Sequence, residues 1–297
     1  MEQLLSLWLE FPSPASGPPL AALLMWKEMP MPRLPYDSDL NDHEYEYIAP
    51  YIAQKSGPGR KRTIDIREVV NALCYMTRTG CQWRMLPHDL PPWQHVAYYY
   101  YTWIEDGTLE TINDYLREEI RIELNRDPEP SVVIMDSQSV KTVSRGEERG
   151  YDTNKQVNGR KRHVMVDMLG LLIVVMVTAA SVQDSDAGQE LAIDVKEKTG
   201  RLQKIFADQG YKDWLVAWIA TWQRFVLELV RKPPEQQGFQ VHPKRWIVER
   251  FFAWLGNFRR LSKDYERTVA SSEGMLYLAS IRLMTRKLAG LRQQTIS

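Results

Sequence analysis

The stretch Val132-Val-Ile-Met-Asp-Ser137 decides the fold. Its four apolar residues in a row show no alternation and are too few for a helix, so they read as a central strand buried on both faces. Asp136 ends that run, and a carboxylate at the end of a buried strand needs compensation, because an unpaired charge is costly to desolvate. Two further acids raise the same question. Asp208 follows Lys204-Ile-Phe-Ala207, and Glu249 lies within Lys244-Arg-Trp-Ile-Val-Glu-Arg-Phe-Phe252.

Working outward, Arg162-His-Val-Met-Val-Asp167 and Leu171-Leu-Ile-Val-Val-Met-Val-Thr178 flank Met-Leu-Gly170 and predict a hairpin. Residues 186–200 predict a helix, Lys204-Ile-Phe-Ala207 a strand, 214–222 a helix and 225–230 a strand. Hairpin strands followed by strand, helix, strand and helix make a mixed α/β order that suits a ribonuclease H-like sheet flanked by helices. Adjacent strands would set Asp136 and Asp208 side by side at the open sheet edge, where ligands bind in α/β folds. Glu249 is expected on a helix whose apolar stripe is Ile247, Phe251, Trp254, Phe258 and Leu261, with Arg245, Glu249, Arg260 and Lys263 on another face.

Each acid alone has an ordinary explanation. An Asp after a strand most often serves a turn, and Glu249 has a helical neighbour in Arg245. Asp167 reads as a strand end, and Asp184 and Asp186 as helix caps. Together, Asp136, Asp208 and Glu249 form a candidate catalytic and metal-binding set for magnesium, because oxygen ligands suit that ion. Three carboxylates would hold two ions about 4 Å apart for phosphoryl transfer.

The charge balance supports a polyanionic substrate. The 297 residues carry no net charge, which excludes a uniformly basic nucleic-acid binder. Cations nevertheless concentrate at 141–162 and 244–267, on both sides of candidate carboxylates. Lys141, Arg160, Lys161, Arg162, Arg245, Arg259, Arg260 and Lys263 are therefore candidate DNA contacts, joined by Arg60, Lys61 and Arg62 in an earlier basic turn. Cys74 and Cys81 have no metal-ligand spacing and read as core or boundary thiols of a cytosolic protein. The longest apolar stretch, 168–180, is too short to span a bilayer.

Residues 1–34 mix a short Leu-rich run with prolines, lack a basic start and read as a disordered leader, with Met29 and Met31 as alternative starts. Residues 35–125 form a helical region: a short helix interrupted at Pro50, one capped by Asp65 and ending near Gly80, and a third from Trp93 to Ile104. Three helices with a tight connector fit either a helix-turn-helix-like DNA-binding domain or a helical cap without DNA contact. Tyr98-Tyr-Tyr-Tyr101 in the third helix must point in several directions, so some of these rings belong to the core. Residues 126–290 are the expected catalytic domain, closed by a helix over 273–288, and 291–297 a tail.

Several ordered segments carry a family resemblance. They are Gly59-Arg-Lys-Arg62, Ile66-Arg-Glu-Val-Val-Asn-Ala-Leu73, Arg78-Thr-Gly-Cys-Gln-Trp-Arg-Met-Leu-Pro87, Met135-Asp-Ser-Gln-Ser-Val-Lys141, Gly159-Arg-Lys-Arg-His-Val-Met-Val-Asp167, Ala207-Asp-Gln-Gly-Tyr211 and Arg245-Trp-Ile-Val-Glu-Arg-Phe-Phe-Ala-Trp-Leu255. Through these the chain resembles the DDE transposases of bacterial insertion sequences, "IS five" type, from about Pro35 to Leu288. The resemblance implies a ribonuclease H-like core and a triad that maps to Asp136, Asp208 and Glu249. It implies two magnesium ions, with manganese as a substitute, and double-stranded DNA partners at element ends and target. It also implies a homodimer in the synaptic complex and action in the bacterial cytoplasm on the nucleoid. A wider pattern of Tyr, Arg, Glu and Lys is only partly met: His242 stands for Tyr and Gly256 for Lys, with Arg260 the expected replacement. A nuclease or resolvase without strand joining, and a domesticated non-catalytic DNA-binding regulator, stay open as alternatives.

Overall fold

The computed structural model describes residues 33–52, 64–143, 146–230 and 245–296. The expected leader through residue 32, the basic turn with Arg60, Lys61 and Arg62, and His242 lie outside these residues, as does the side chain of Arg245. The chain divides into Met1–Pro35 and Tyr36–Ser297, and all the elements below belong to the second unit.

Local capping chemistry starts the first helices. In α1 (Asp42–Ile52), Asn41 and Glu44 exchange side-chain-to-backbone hydrogen bonds of 2.9 and 3.0 Å, a capping box. The helix runs two residues past Pro50 rather than breaking there. Asp65 caps α2 (Ile66–Thr79) by accepting from Arg67 N, and left-handed Gly80 (φ 75°) closes it, as its sequence predicts. A 3₁₀ turn, Trp83–Met85, leads to α3 (Trp93–Glu105), and α4 (Thr108–Glu123) follows. On α3, Tyr100 and Trp103 enter the core while Tyr98 and Tyr101 are exposed.

The sheet comprises β1 (Val132–Lys141), β2 (Gly150–Asp152), β3 (Val157–Asp167), β4 (Leu172–Ala179), β5 (Lys204–Ala207) and β6 (Val226–Leu229). The strand order is β2-β3-β1-β5-β6, and β4 also pairs with β3. The β1–β3 and β3–β4 pairs are antiparallel, whereas β1–β5 and β5–β6 are parallel through α5 (Asp184–Lys198) and α6 (Asp213–Trp222). This mixed sheet, flanked by helices and preceded by a helical region, is a ribonuclease H-like core. The helices α7 (Arg245–Leu255) and α8 (Val269–Ile296) complete it.

Alternation along the strands divides the core between the two faces. Ile134, Val164, Val166 and Phe206 join a cluster with Ile247, Val248 and Phe251 of α7, and that cluster continues into α1–α4 and α8. Val133, Met135, Met165 and Ile205 join the opposite cluster with α5 and α6. No helix among the described residues is long and apolar enough to cross a membrane.

One half-buried acid makes stability depend on pH. Glu273, near the start of α8, accepts a 2.7 Å hydrogen bond from Val177 N on β4. Burial above all, and then Asp194, Glu110 and Glu148, push its carboxyl up to about 7 against that hydrogen bond. A raised carboxyl favours the protonated folded state, so this contribution is full below the unfolded value of about 4.3 and is lost as pH rises through 7. Glu273→Gln keeps an acceptor for Val177 without the charge. It is expected to stabilise the fold at pH 8 by about 1–3 kcal/mol and to change little at pH 4. Urea unfolding of both proteins at the two pH values checks this; an equal gain at both would exclude charge as the cause.

Candidate active site

Asp136 lies within β1 rather than at its end. The polar residues Ser137 to Lys141 continue the strand because β3 pairs with them, from Ser137↔His163 to Lys141↔Gly159. On its other side β1 matches β5 in parallel register, Ile134 opposite Phe206. Two residues further along each chain, Asp136 and Asp208 stand at the same level, with Asp208 just past the end of β5. They line one notch with Ile134, Phe206 and Val230, of about 10 Å³, which is the room taken by about one water. Asp136 is 9% exposed and accepts from Ser137 N at 2.8 Å, while Asp208 accepts from Gly210 N at 2.8 Å.

Glu249 approaches from α7. That helix buries Ile247, Val248, Phe251 and Leu255, and leaves Glu249, Phe252 and Ala253 on the stripe facing β1. Arg250 lies between the rings of Trp246 and Trp254, at 4.5 and 4.7 Å, and donates to Leu169 O at 3.2 Å, tying α7 to the β3–β4 hairpin. The helix ends at Leu255, so Phe258 and Leu261 reach the core from a turn and a 3₁₀ segment (Arg259–Leu261), not from the expected longer helix. Gly256 is therefore beyond the helix end rather than inside it. Exposed Glu249 lines a cleft of about 400 Å³ with Asp136, Ser137, Gln138, Ser139 and Lys155. A second groove of about 360 Å³ continues along Gln138 to Lys141 and is walled by Phe252, Gly256 and Ser262-Lys263.

Asp136 thus borders both spaces, with Asp208 on one side and Glu249 on the other. Among the described residues, no three His, Cys, Asp or Glu side chains stand close enough together to hold a metal ion. Two other observations bear on whether the site suits one. A Cβ on Gly210 would come within 2.9 Å of Asp208 Oδ1 and 3.4 Å of Asp184 Oδ2, so the turn leaves space beside both carboxylates. Tyr211, buried nearby, has a hydroxyl without a hydrogen-bond partner. Burial, followed by the charges of Asp136, Asp184 and Asp208, holds this phenol protonated well above its usual range. The carboxylate oxygens here are hard donors, of the kind that divalent cations take.

Asp184 is not the simple cap expected from sequence. It is the first residue of α5, behind an N-cap, Gln183, that makes no side-chain capping bond. Its Oδ1 accepts from Ser137 Oγ at 2.8 Å and pairs with Lys161 Nζ at 3.1 Å. Lys161 also donates to Val182 O at 2.8 Å and lies 3.8 Å from Asp152, which accepts from Ser139 Oγ at 2.5 Å. Burial drives the adjacent His163 down to about 4, so it is neutral near pH 7. This network fixes the polar half of β1, directly after Asp136. Its partners are far apart in sequence, so no local signal exposed it.

Comparison with known proteins bears on the same residues. A family model described as "Transposase DDE domain" matches residues 127–284, which include Asp136, Asp208 and Glu249. The chain belongs to the DDE transposase family. A second model, "Putative transposase of IS4/5 family", matches residues 40–113 of this chain. A relative from Burkholderia cepacia, "Putative transposase for insertion sequence element IS402", is 30% identical over 122 residues, covering 39% of this chain and 57% of the relative. An uncharacterized protein from Sinorhizobium fredii, y4sN, is 32% identical over 84 residues, covering 28% of this chain and 67% of its own. Family membership carries a general dependence on divalent metal and an association with DNA.

The chain's basic stretches divide into two kinds. Lys141, Lys155, Arg259 and Lys263 are exposed, and Lys141, Lys155 and Lys263 line the cleft and groove. Lys155 was absent from the expected contacts. Arg160, Lys161, Arg162 and Arg260, also expected to meet DNA, are instead buried, and Arg162 borders the groove. Arg160 pairs with Asp264 and donates to the carbonyls of Glu147, Glu266, Arg267 and Thr268. Arg162 donates to Leu261 O and Lys263 O. Arg260 pairs with Glu266 and donates to Cys81 O.

Proposed function

We propose that this chain is an active transposase that binds the terminal inverted repeats of an insertion sequence, cleaves the DNA and joins the 3′ ends to target DNA. The observation that carries the reading is the position of Asp136, shared between the notch with Asp208 and the cleft with Glu249. Asp136 and Asp208 are the fixed ligands, held level by the parallel pairing of β1 and β5. Glu249 completes the set from α7 when the DNA-loaded cleft narrows. When bound, two magnesium ions, or manganese in their place, would supply Lewis-acid charge for in-line phosphoryl transfer. Lys141, Lys155 and Lys263 hold phosphates of the reacting strand along the cleft and groove, and Arg259 adds a further phosphate contact. Arg60, Lys61, Arg62 and Arg245 add phosphate contacts to the duplex end, and the helical region over 35–125 carries end recognition. The working form is a homodimer in a synaptic complex on the bacterial nucleoid.

The test uses the purified full chain, duplexes made from the inverted repeats that bracket its gene, a plasmid target and magnesium. Precleaved ends are expected to become joined to the plasmid. Cleavage without joining would replace this reading with a nuclease or resolvase, and end binding without any cleavage would replace it with a DNA-binding regulator.

A further inference from the structure

The hydroxyl of Tyr211 has no role in the fold as it stands. The residue is 1% exposed, and its oxygen makes no hydrogen bond. A buried donor left without an acceptor is costly, and a phenylalanine ring would fill the same space without that cost.

The ring itself is firmly placed. It packs against α5 at Gly188, where an added Cβ would lie 3.0 Å from both Tyr211 Cε1 and Leu215 Cδ2. Its backbone N–H donates to Asp208 O at 3.4 Å, and the next residue, Lys212, donates its N–H to Ser185 Oγ at 2.8 Å. The tyrosine is therefore pinned between the turn after β5 and the first turn of α5, which bring Asp208 and Asp184 beside Gly210. Asp208 and Asp184 belong to the two segments that hold the ring, and with Asp136 they are the charges that bear on its hydroxyl.

We infer that Tyr211 is a positioning residue, whose hydroxyl donates to Asp136 when that carboxylate turns to bind a divalent cation with Asp208. This rests on the metal reading given above. The hydroxyl orients a ligand that the backbone of β1 fixes only at its Cα. Groups of this kind, one step behind the ligands, typically govern metal affinity by about 10–100-fold.

Manganese alone, titrated by calorimetry into the full-length protein without DNA, gives the test, alongside thermal unfolding without metal. Tyr211→Phe is expected to weaken manganese binding by about tenfold, with metal-free unfolding unchanged or slightly raised in temperature. Cleavage by the variant should need more metal and approach the wild-type rate at saturation. Equal manganese affinity in Tyr211→Phe and wild type would overturn the inference, as would lower metal-free stability with unaltered affinity. Asp136→Asn separates the two levels of the argument. If wild type binds no manganese, or if the Asp136→Asn variant binds it equally well, the metal reading itself fails and Tyr211 falls with it.

Discussion

Asp136→Asn, prepared free of wild type, is expected to lose magnesium-dependent cleavage and joining by about a thousandfold or more while still binding element ends. Charge held at the reacting oxygens by metal is worth several kcal/mol, and about 4 kcal/mol corresponds to about a thousandfold in rate. Asp136 is the position where the effect should be largest, because it borders both the notch with Asp208 and the cleft with Glu249. The amide keeps the shape and the acceptor used by Ser137 N. It removes one of the negative charges gathered about Tyr211, so stability should hold or rise. Strand cleavage, end binding and thermal unfolding, measured on one preparation, separate chemistry from folding. Robust cleavage by the Asp136→Asn variant would remove Asp136 from the catalytic set.

Arg160→Ala should have the largest effect on folding. Its guanidinium is fully buried, with Asp264 Oδ2 at 3.3 Å and carbonyl acceptors at Glu266, Arg267 and Thr268 between 2.7 and 3.2 Å. Removing it leaves Asp264 charged and buried and strands several carbonyls. Breaking a buried pair in this way costs about 3–5 kcal/mol, a large part of the about 5–15 kcal/mol that holds a typical protein folded. Arg160→Lys should rescue little, because an ammonium on a flexible stem cannot replace a planar fork that reaches several acceptors. Denaturant unfolding reads the effect directly. Normal stability with weakened, less salt-sensitive DNA binding would instead return Arg160 to the DNA interface.

The fate of Arg160 shows where sequence reading succeeds and where it stops. Strands buried on both faces announce themselves, as Val132 to Met135 and Lys204 to Ala207 did, because continuous apolar runs have few other uses. The hairpin about Gly170 and the caps at Asp65 and Gly80 were equally legible, since their signals are local. The second half of β1 was not, because Ser-Gln-Ser is held in the sheet by pairing with β3 rather than by hydrophobicity. The helix α4 was overlooked although Leu109, Ile112, Leu116 and Ile120 carry its period. The three candidate carboxylates were picked out from sequence, and the fold sets two of them level on neighbouring strands. A run of cations, by contrast, says nothing about which way a strand turns them. Arg160 and Arg162 bind segments about a hundred residues further on, and only the tertiary structure reveals those partners.

Those two arginines also change how the segment between α7 and α8 should be regarded. Residues 262–268 contain neither regular helix nor strand, and such stretches are ordinarily the first choice for grafting a tag or a fluorescent reporter. Here the carbonyls of Lys263, Glu266, Arg267 and Thr268 are each gripped from beneath by a buried guanidinium. Added length would pull the backbone off those donors. An irregular course is not slack in this protein, and engineering that treats it as a spacer would pull it away from the arginines of β3.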